Sequence, residues 1–298
     1  MIRLDAATVL LQWATGGLLF LWVTTRRRQV GLGYGWLLRA VYGVLAAGAV
    51  VAGGLVDPDP VRDVCAALVA VAAAVALAGS VVRRRAGVAG QRARRERRAA
   101  RVAAMVGKGE EGSGVDGAAR PRSPMRSGHV EPPAEFPPTL DLVAPAVGAV
   151  GLVAAGLAAG GPAPLAVVRT LVGAAFLGVV SDAMLLGHWY LVQPGLPRDP
   201  IFELNRWLML IWPVEVAALL WPTGMASVLT GTVDDGWGGT LGWFWVACAL
   251  TTIVLAVVTN AALKERAYSA VMAATGLLYL AILTAFGTDL VARAVLAG

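Results

Sequence analysis

Charge is scarce in this 298-residue chain: Asp, Glu, Lys and Arg together make up 15% of it, against 57% hydrophobic residues. Ordinary globular domains carry about 25% charged residues. With a mean hydropathy of +0.68, that scarcity excludes a conventional water-soluble helical protein, whose helices alternate apolar and polar faces. The long runs here are apolar all round, which points to lipid as the solvent. Cysteine is nearly missing. Cys65 and Cys248 both lie in apolar runs and form no CxxC pair, which excludes a disulfide framework and leaves each as a small apolar side chain. There are two histidines, and only His188 lies in an apolar run, so the chain cannot supply bis-histidine haem ligation by itself. Met184, one turn away on the same helix, cannot complete a sandwich around a macrocycle. Signatures of catalysis are missing as well: there is no GxSxG, HExxH or kinase set. The loop Gly31-Leu32-Gly33-Tyr34-Gly35 lacks both GxGxxG spacing and a P-loop lysine. No cofactor is predicted, haem through His188 being the one weak option, and an enzyme is the less favoured class.

What the chain has is apolar length. A helix needs about 20 residues to cross a hydrocarbon core of about 30 Å. Eight stretches reach that: 6–25, 36–56, 62–82, 140–160, 165–192, 203–222, 239–259 and 266–286. Breakers or charges bound them, among them Arg26-Arg27-Arg28, Asp57-Pro58-Asp59-Pro60, Gly160-Gly161-Pro162 and Lys264-Glu265-Arg266. The first follows Met1-Ile2-Arg3-Leu4-Asp5 with no small-residue cleavage site, so it reads as a retained helix. The predicted fold is therefore an all-α, polytopic membrane bundle of about eight transmembrane helices. Residues 1–82 hold three of them and 139–298 hold five. No internal repeat is apparent in a three-plus-five arrangement.

Basic residues set the predicted orientation. With the N-terminus outside, Arg26, Arg27, Arg28, Arg39, the 83–138 linker, Arg198, Arg206, Lys264 and Arg266 all fall on the cytoplasmic side of a plasma (inner) membrane. Only Arg3, Arg62, Arg169 and Arg293 fall outside, where Asp57, Asp59, Asp63, Asp234 and Asp235 gather. An even number of spans then puts both termini outside. The linker opens as an Ala/Arg-rich run to Val106 that reads as a helix extending the third span. It continues as Gly, Ser, Pro and mixed charge, a composition too poor in apolar residues to build a core and expected to be disordered. A net charge of +6 could suggest nucleic acid. Beside a membrane helix, contact of Arg92, Arg94, Arg95, Arg97 and Arg98 with anionic lipid headgroups is the simpler expectation, and no nucleic-acid partner is predicted.

Few polar groups lie at membrane depth. Asp182 and Glu215 are the carboxylates placed there, on the fifth and sixth stretches, at depths about 3 Å apart in an antiparallel hairpin. Charge costs about 2.5–3.5 kcal/mol there, so each needs a partner or a cavity. Pro213 frees a backbone carbonyl close to Glu215. The two acids are expected to form one polar intramembrane site, or else to hold neighbouring helices together as hydrogen-bonded groups. His188, in Gly187-His188-Trp189-Tyr190-Leu191, lies about 120° around the helix from Asp182. With Arg198, Glu203 and Arg206 it is expected at a cytoplasmic mouth, the bland alternative being a solvated salt-bridge cluster with a structural histidine. The leading functional expectation is passage of protons, a cation or a small solute through that site. One alternative is a structural or assembly subunit of a larger membrane complex, possibly respiratory, with membrane-protein partners. Another is a lipid-modifying enzyme.

Overall fold

The computed structural model describes residues 4–110 and 135–298, apart from Pro194, Thr223, Arg266 and Gly298. Among the described residues the chain is all-helical. The helices are α1 (Ala6–Thr25), α2 (Leu32–Val56), α3 (Pro60–Val82), α4 (Arg84–Glu110), α5 (Val143–Ala158), α6 (Ala163–Val192), α7 (Asp199–Leu220), α8 (Met225–Leu229), α9 (Thr240–Lys264) and α10 (Tyr268–Leu296), with a 3-10 turn at Pro138–Leu142 leading into α5. Two compact units result: residues 1–78 with 138–298, and residues 79–137.

Among the described residues seven helices are long and apolar enough to cross a membrane: α1, α2, α3, α5 with its 3-10 turn, α6, α9 and α10. This corrects the expected eight. The stretch 203–222 forms a helix of adequate length, α7 with 22 residues. Asp199, Glu203, Asn205, Arg206 and Glu215, with Trp207 and Trp212, leave it too polar to qualify by composition. α7 nonetheless runs the length of the larger unit. At its start Glu203 pairs with Arg26, just past the end of α1. At its end the Ala218 carbonyl accepts from Arg169 near the start of α6, at 2.7 Å. Two of its polar groups turn inward: Asn205 Nδ2 and Trp212 Nε1 donate to the Ala256 and Ala249 carbonyls of α9, each at 2.9 Å. Inward hydrogen bonds of this kind are what let a polar helix sit in an apolar bundle.

α1 and α6 are the central helices; 67% and 56% of their apolar windows are buried, the largest shares among the seven. They meet at Gly16 and Gly178, where a Cβ on either glycine would run into the other helix's backbone. Gly17 similarly makes room for the Tyr42 ring. α1 also packs on α2 and α5, and α6 on α5, α7 and α10, while α9 and α10 lie side by side. Large apolar side chains such as Val44, Val51, Leu250 and Val254 face outward, as a lipid-facing surface requires.

The ends are tied by polar contacts. At one end, called here the basic end, Arg39 makes a double ion-paired contact with Asp141 of the 3-10 turn at 2.8 and 2.6 Å. Arg198 donates to the Leu263, Glu265 and Ala267 carbonyls, satisfying the last turn of α9. At the opposite end Arg62 is held by Asp5 at 2.8 Å and Asp63 at 2.9 Å. There too Asp235 caps α9, accepting from the Gly239, Trp237 and Leu241 amides at 2.8–2.9 Å. These bonds, that from Gly239 first, hold its carboxyl below the ordinary aspartate range.

Arg39, Arg62, Arg169 and Arg293, counted toward one side or the other in the charge asymmetry, are all buried, none more than 4% exposed. They lie inside the helices rather than between them, and each donates to a carboxylate or a carbonyl. α10 also runs ten residues past the expected 286, to Leu296. In the smaller unit α4 occupies the Ala/Arg-rich run and continues through Glu110, four residues into the segment expected to be disordered. The rest of that expectation falls on residues 111–134, outside the described residues.

Candidate functional site

Asp182 and Glu215 are both fully buried, but each has its own surroundings. Asp182 projects from α6 toward α2. The Tyr42 hydroxyl donates to its Oδ1, and the Tyr34 hydroxyl donates to its backbone carbonyl at 3.4 Å. Its Oδ2 has no hydrogen-bond partner among the described residues. On the preceding residue, Ser181 Oγ accepts from Trp13 Nε1 of α1 at 2.8 Å. A carboxyl with a phenol against it can hold a proton or pass one, and it can equally lock α2 onto α6.

Glu215 belongs to a second cluster, nearer the end opposite the basic one. Its charged neighbours are Asp289 and Arg293 of α10 and Arg169 of α6. Asp289 and Arg293 are one turn apart and fully buried, and they form a two-point ion pair at 2.6 and 3.0 Å. Gln12 of α1 completes the group, with its Nε2 donating to the Thr170 carbonyl at 2.6 Å. Gly173 lets these side chains lie against α6: a Cβ there would stand 2.8 Å from Asp289 Oδ1 and 3.0 Å from both Arg293 Nη2 and Gln12 Nε2. Four helices thus contribute two acids, two arginines and an amide, and the charges balance.

That balance leaves individual atoms over. Among the described residues neither oxygen of Glu215 receives a hydrogen bond, and Gln12 Oε1 and Arg293 Nη1 are also without a partner. A buried polar atom left unpaired costs roughly 1–3 kcal/mol, and more when charged. The four atoms here are three oxygens and one guanidinium nitrogen, gathered from α1, α7 and α10.

The residues expected to form a mouth are dispersed. His188 is exposed, its Nδ1 3.0 Å from the Tyr279 hydroxyl of α10. Arg198 is spent on the turn between α9 and α10, Glu203 is paired with Arg26 and Arg27, and Arg206 is exposed on α7. Asp182 is fully buried beneath Tyr42, whereas His188 and Arg206 are exposed. Of the headgroup arginines, Arg92, Arg95 and Arg97 are exposed, Arg94 contacts Glu135, and the Arg98 side chain is outside the described set. Among the described residues no group of three or more His, Cys, Asp or Glu is placed to hold a metal ion.

Sequence reading passed over Gln12, Arg169, Asp289 and Arg293. Two signals were available: the i, i+4 spacing of Asp289 and Arg293, and a lone arginine, Arg169, within an otherwise apolar run. Both were obscured by counting Arg169 and Arg293 as charges on the outer side. No protein-family model, curated protein or solved structure matches this chain, so its affinities rest on this geometry alone.

Proposed function

We propose that this chain is a multi-pass membrane protein that passes protons or a small polar solute, with the Gln12–Arg169–Glu215–Asp289–Arg293 cluster as its polar site. The observation that carries the reading is the convergence on one buried spot of polar groups from α1, α6, α7 and α10, four of whose atoms have no hydrogen-bond partner among the described residues. Ionisable groups at membrane depth are costly and tend to mark pathways. The formal charges of the two acids and two arginines balance, which disfavours a bare cation there, since an added charge would be uncompensated. Asp182 with Tyr42 supplies a second polar station about nine residues further along α6 from Gly173, or roughly 14 Å.

The test is flux into vesicles containing the purified chain. Proton entry is followed with a pH dye and entry of urea or glycerol by light scattering. Native protein is expected to exceed protein-free vesicles for at least one of these, and Glu215→Gln to lower that rate about tenfold. Folded protein with no flux of protons or small solutes would overturn the reading. The assembly-subunit reading would then take its place, supported by the exposed His188–Tyr279 pair on the outside of α6 and α10.

The orientation we infer has the basic end in the cytoplasm of a cell with a plasma membrane, both termini outside, and α7 as an eighth crossing shielded by α6 and α9. Removing buried Arg39, Arg62, Arg169 and Arg293 from the loop count sharpens the asymmetry, because three of these four were the outside votes. Cysteines introduced at Gly114 and Asp234 should label from opposite sides of sealed cells. Labelling from the same side would refute this topology.

A further inference from the structure

α4 follows α3 after a single residue, Arg83, so it starts where an apolar span ends. At 100° per residue, its exposed side chains sort by sector. Arg84, Val88, Arg92 and Arg95 fall within about 80° of one another, with Arg85 at the margin, and all five are exposed. The other side is different. Ala86 and Gly87 are buried, and the returning chain meets Gly90 and Arg94 through Glu135, whose oxygens accept from Arg94 Nη1 at 2.9 and 3.2 Å. An ion pair on the open side, Arg92 with Glu96 at 3.1 Å, is solvent-exposed and so holds its arginine weakly.

We propose that this open face of α4 is a binding surface for anionic phospholipid headgroups of the same bilayer that holds α3. Three observations point to lipid. Four exposed arginines, Arg84, Arg85, Arg92 and Arg95, share one face of α4 with Val88, as a helix lying along a surface needs, while exposed Arg97 falls on another face. Val88, 58% exposed, sits inside the stripe, where an apolar side chain can enter the acyl boundary. The stripe begins within one turn of a span, inside the Debye length of about 8 Å over which headgroup charge acts. Arg94, included by composition alone, does not belong to this surface because Glu135 occupies it.

The experiment uses the full chain in neutral detergent, titrated with phosphatidylglycerol or phosphatidylcholine, with bound lipid counted by native mass spectrometry. Native protein should retain phosphatidylglycerol in preference to phosphatidylcholine. The combined variant Arg84→Gln, Arg85→Gln, Arg92→Gln, Arg95→Gln should lose that preference at least about tenfold. Glutamine keeps the helix, which far-ultraviolet circular dichroism checks. Arg83→Gln with Arg97→Gln, off the stripe, should keep the preference within about twofold. Retention by the fourfold variant, or equal loss in both variants, would overturn the proposal in favour of diffuse attraction. Displacement by millimolar inorganic phosphate, or tighter binding of a duplex oligonucleotide at physiological salt, would overturn it in favour of another anion.

Discussion

Arg293→Met is expected to destabilise the bundle by about 3–5 kcal/mol, the cost of removing one partner from a fully buried ion pair. Asp289 accepts from Arg293 at 2.6 and 3.0 Å, and both side chains are inaccessible to solvent. The substitution would leave Asp289 and Glu215 beside one another with Arg169 as the remaining cation. Replacing the pair together, Arg293→Met with Asp289→Leu, should recover half or more of the loss, since well-packed apolar groups often stand in for a buried pair. Unfolding in detergent, followed as a double-mutant cycle, measures both effects. A loss under about 1 kcal/mol for Arg293→Met would mean the cluster is hydrated and only weakly coupled, and the charge balance argued for the site would fail with it.

The second large effect is expected where α1 crosses α6. Gly16→Ala or Gly178→Ala puts a Cβ onto the facing backbone, in one case against the Ala174 carbonyl and Gly178 Cα, in the other against Gly16 itself. Backbone cannot swing aside as a side chain can, so about 2–3 kcal/mol is expected from overpacking, and Gly16→Val should not yield folded protein. Gly54→Ala is the control. Nothing lies within 4 Å of a Cβ there, and α2 should be unchanged or gain up to about 1 kcal/mol. Equal melting behaviour for Gly16→Ala and Gly54→Ala would show that the two central helices are not in the contact described.

Helix positions were largely legible in the sequence because an apolar run long enough to cross a bilayer has few other fates. α1, 6–25 as expected and Ala6–Thr25 as found, shows this best. The count was less legible, since α7 has the length of a span but carries Glu203, Arg206 and Glu215, and sequence alone does not show whether α6 and α9 cover them. α10 illustrates a related gap. Its last ten residues include Asp289 and Arg293, whose charges end an apolar run by composition yet cancel one another when they fall one turn apart inside a bundle.

The site shows the same division between local and distant causes. Sequence by itself determined that Asp182 and Glu215 would be buried and would need partners, because charge at that depth is costly wherever the helices go. Depth along each helix is also a local quantity, and the near match in depth made a shared site geometrically available. Rotation about the helix axis and choice of neighbour are not local. The Gly16–Gly178 contact brings α1 onto α6, so that Gln12 reaches the cluster formed by Arg169, Asp289 and Arg293, while Tyr42 of α2 takes Asp182. Those pairings join residues more than a hundred positions apart, and only the packing of the whole bundle decides which faces meet.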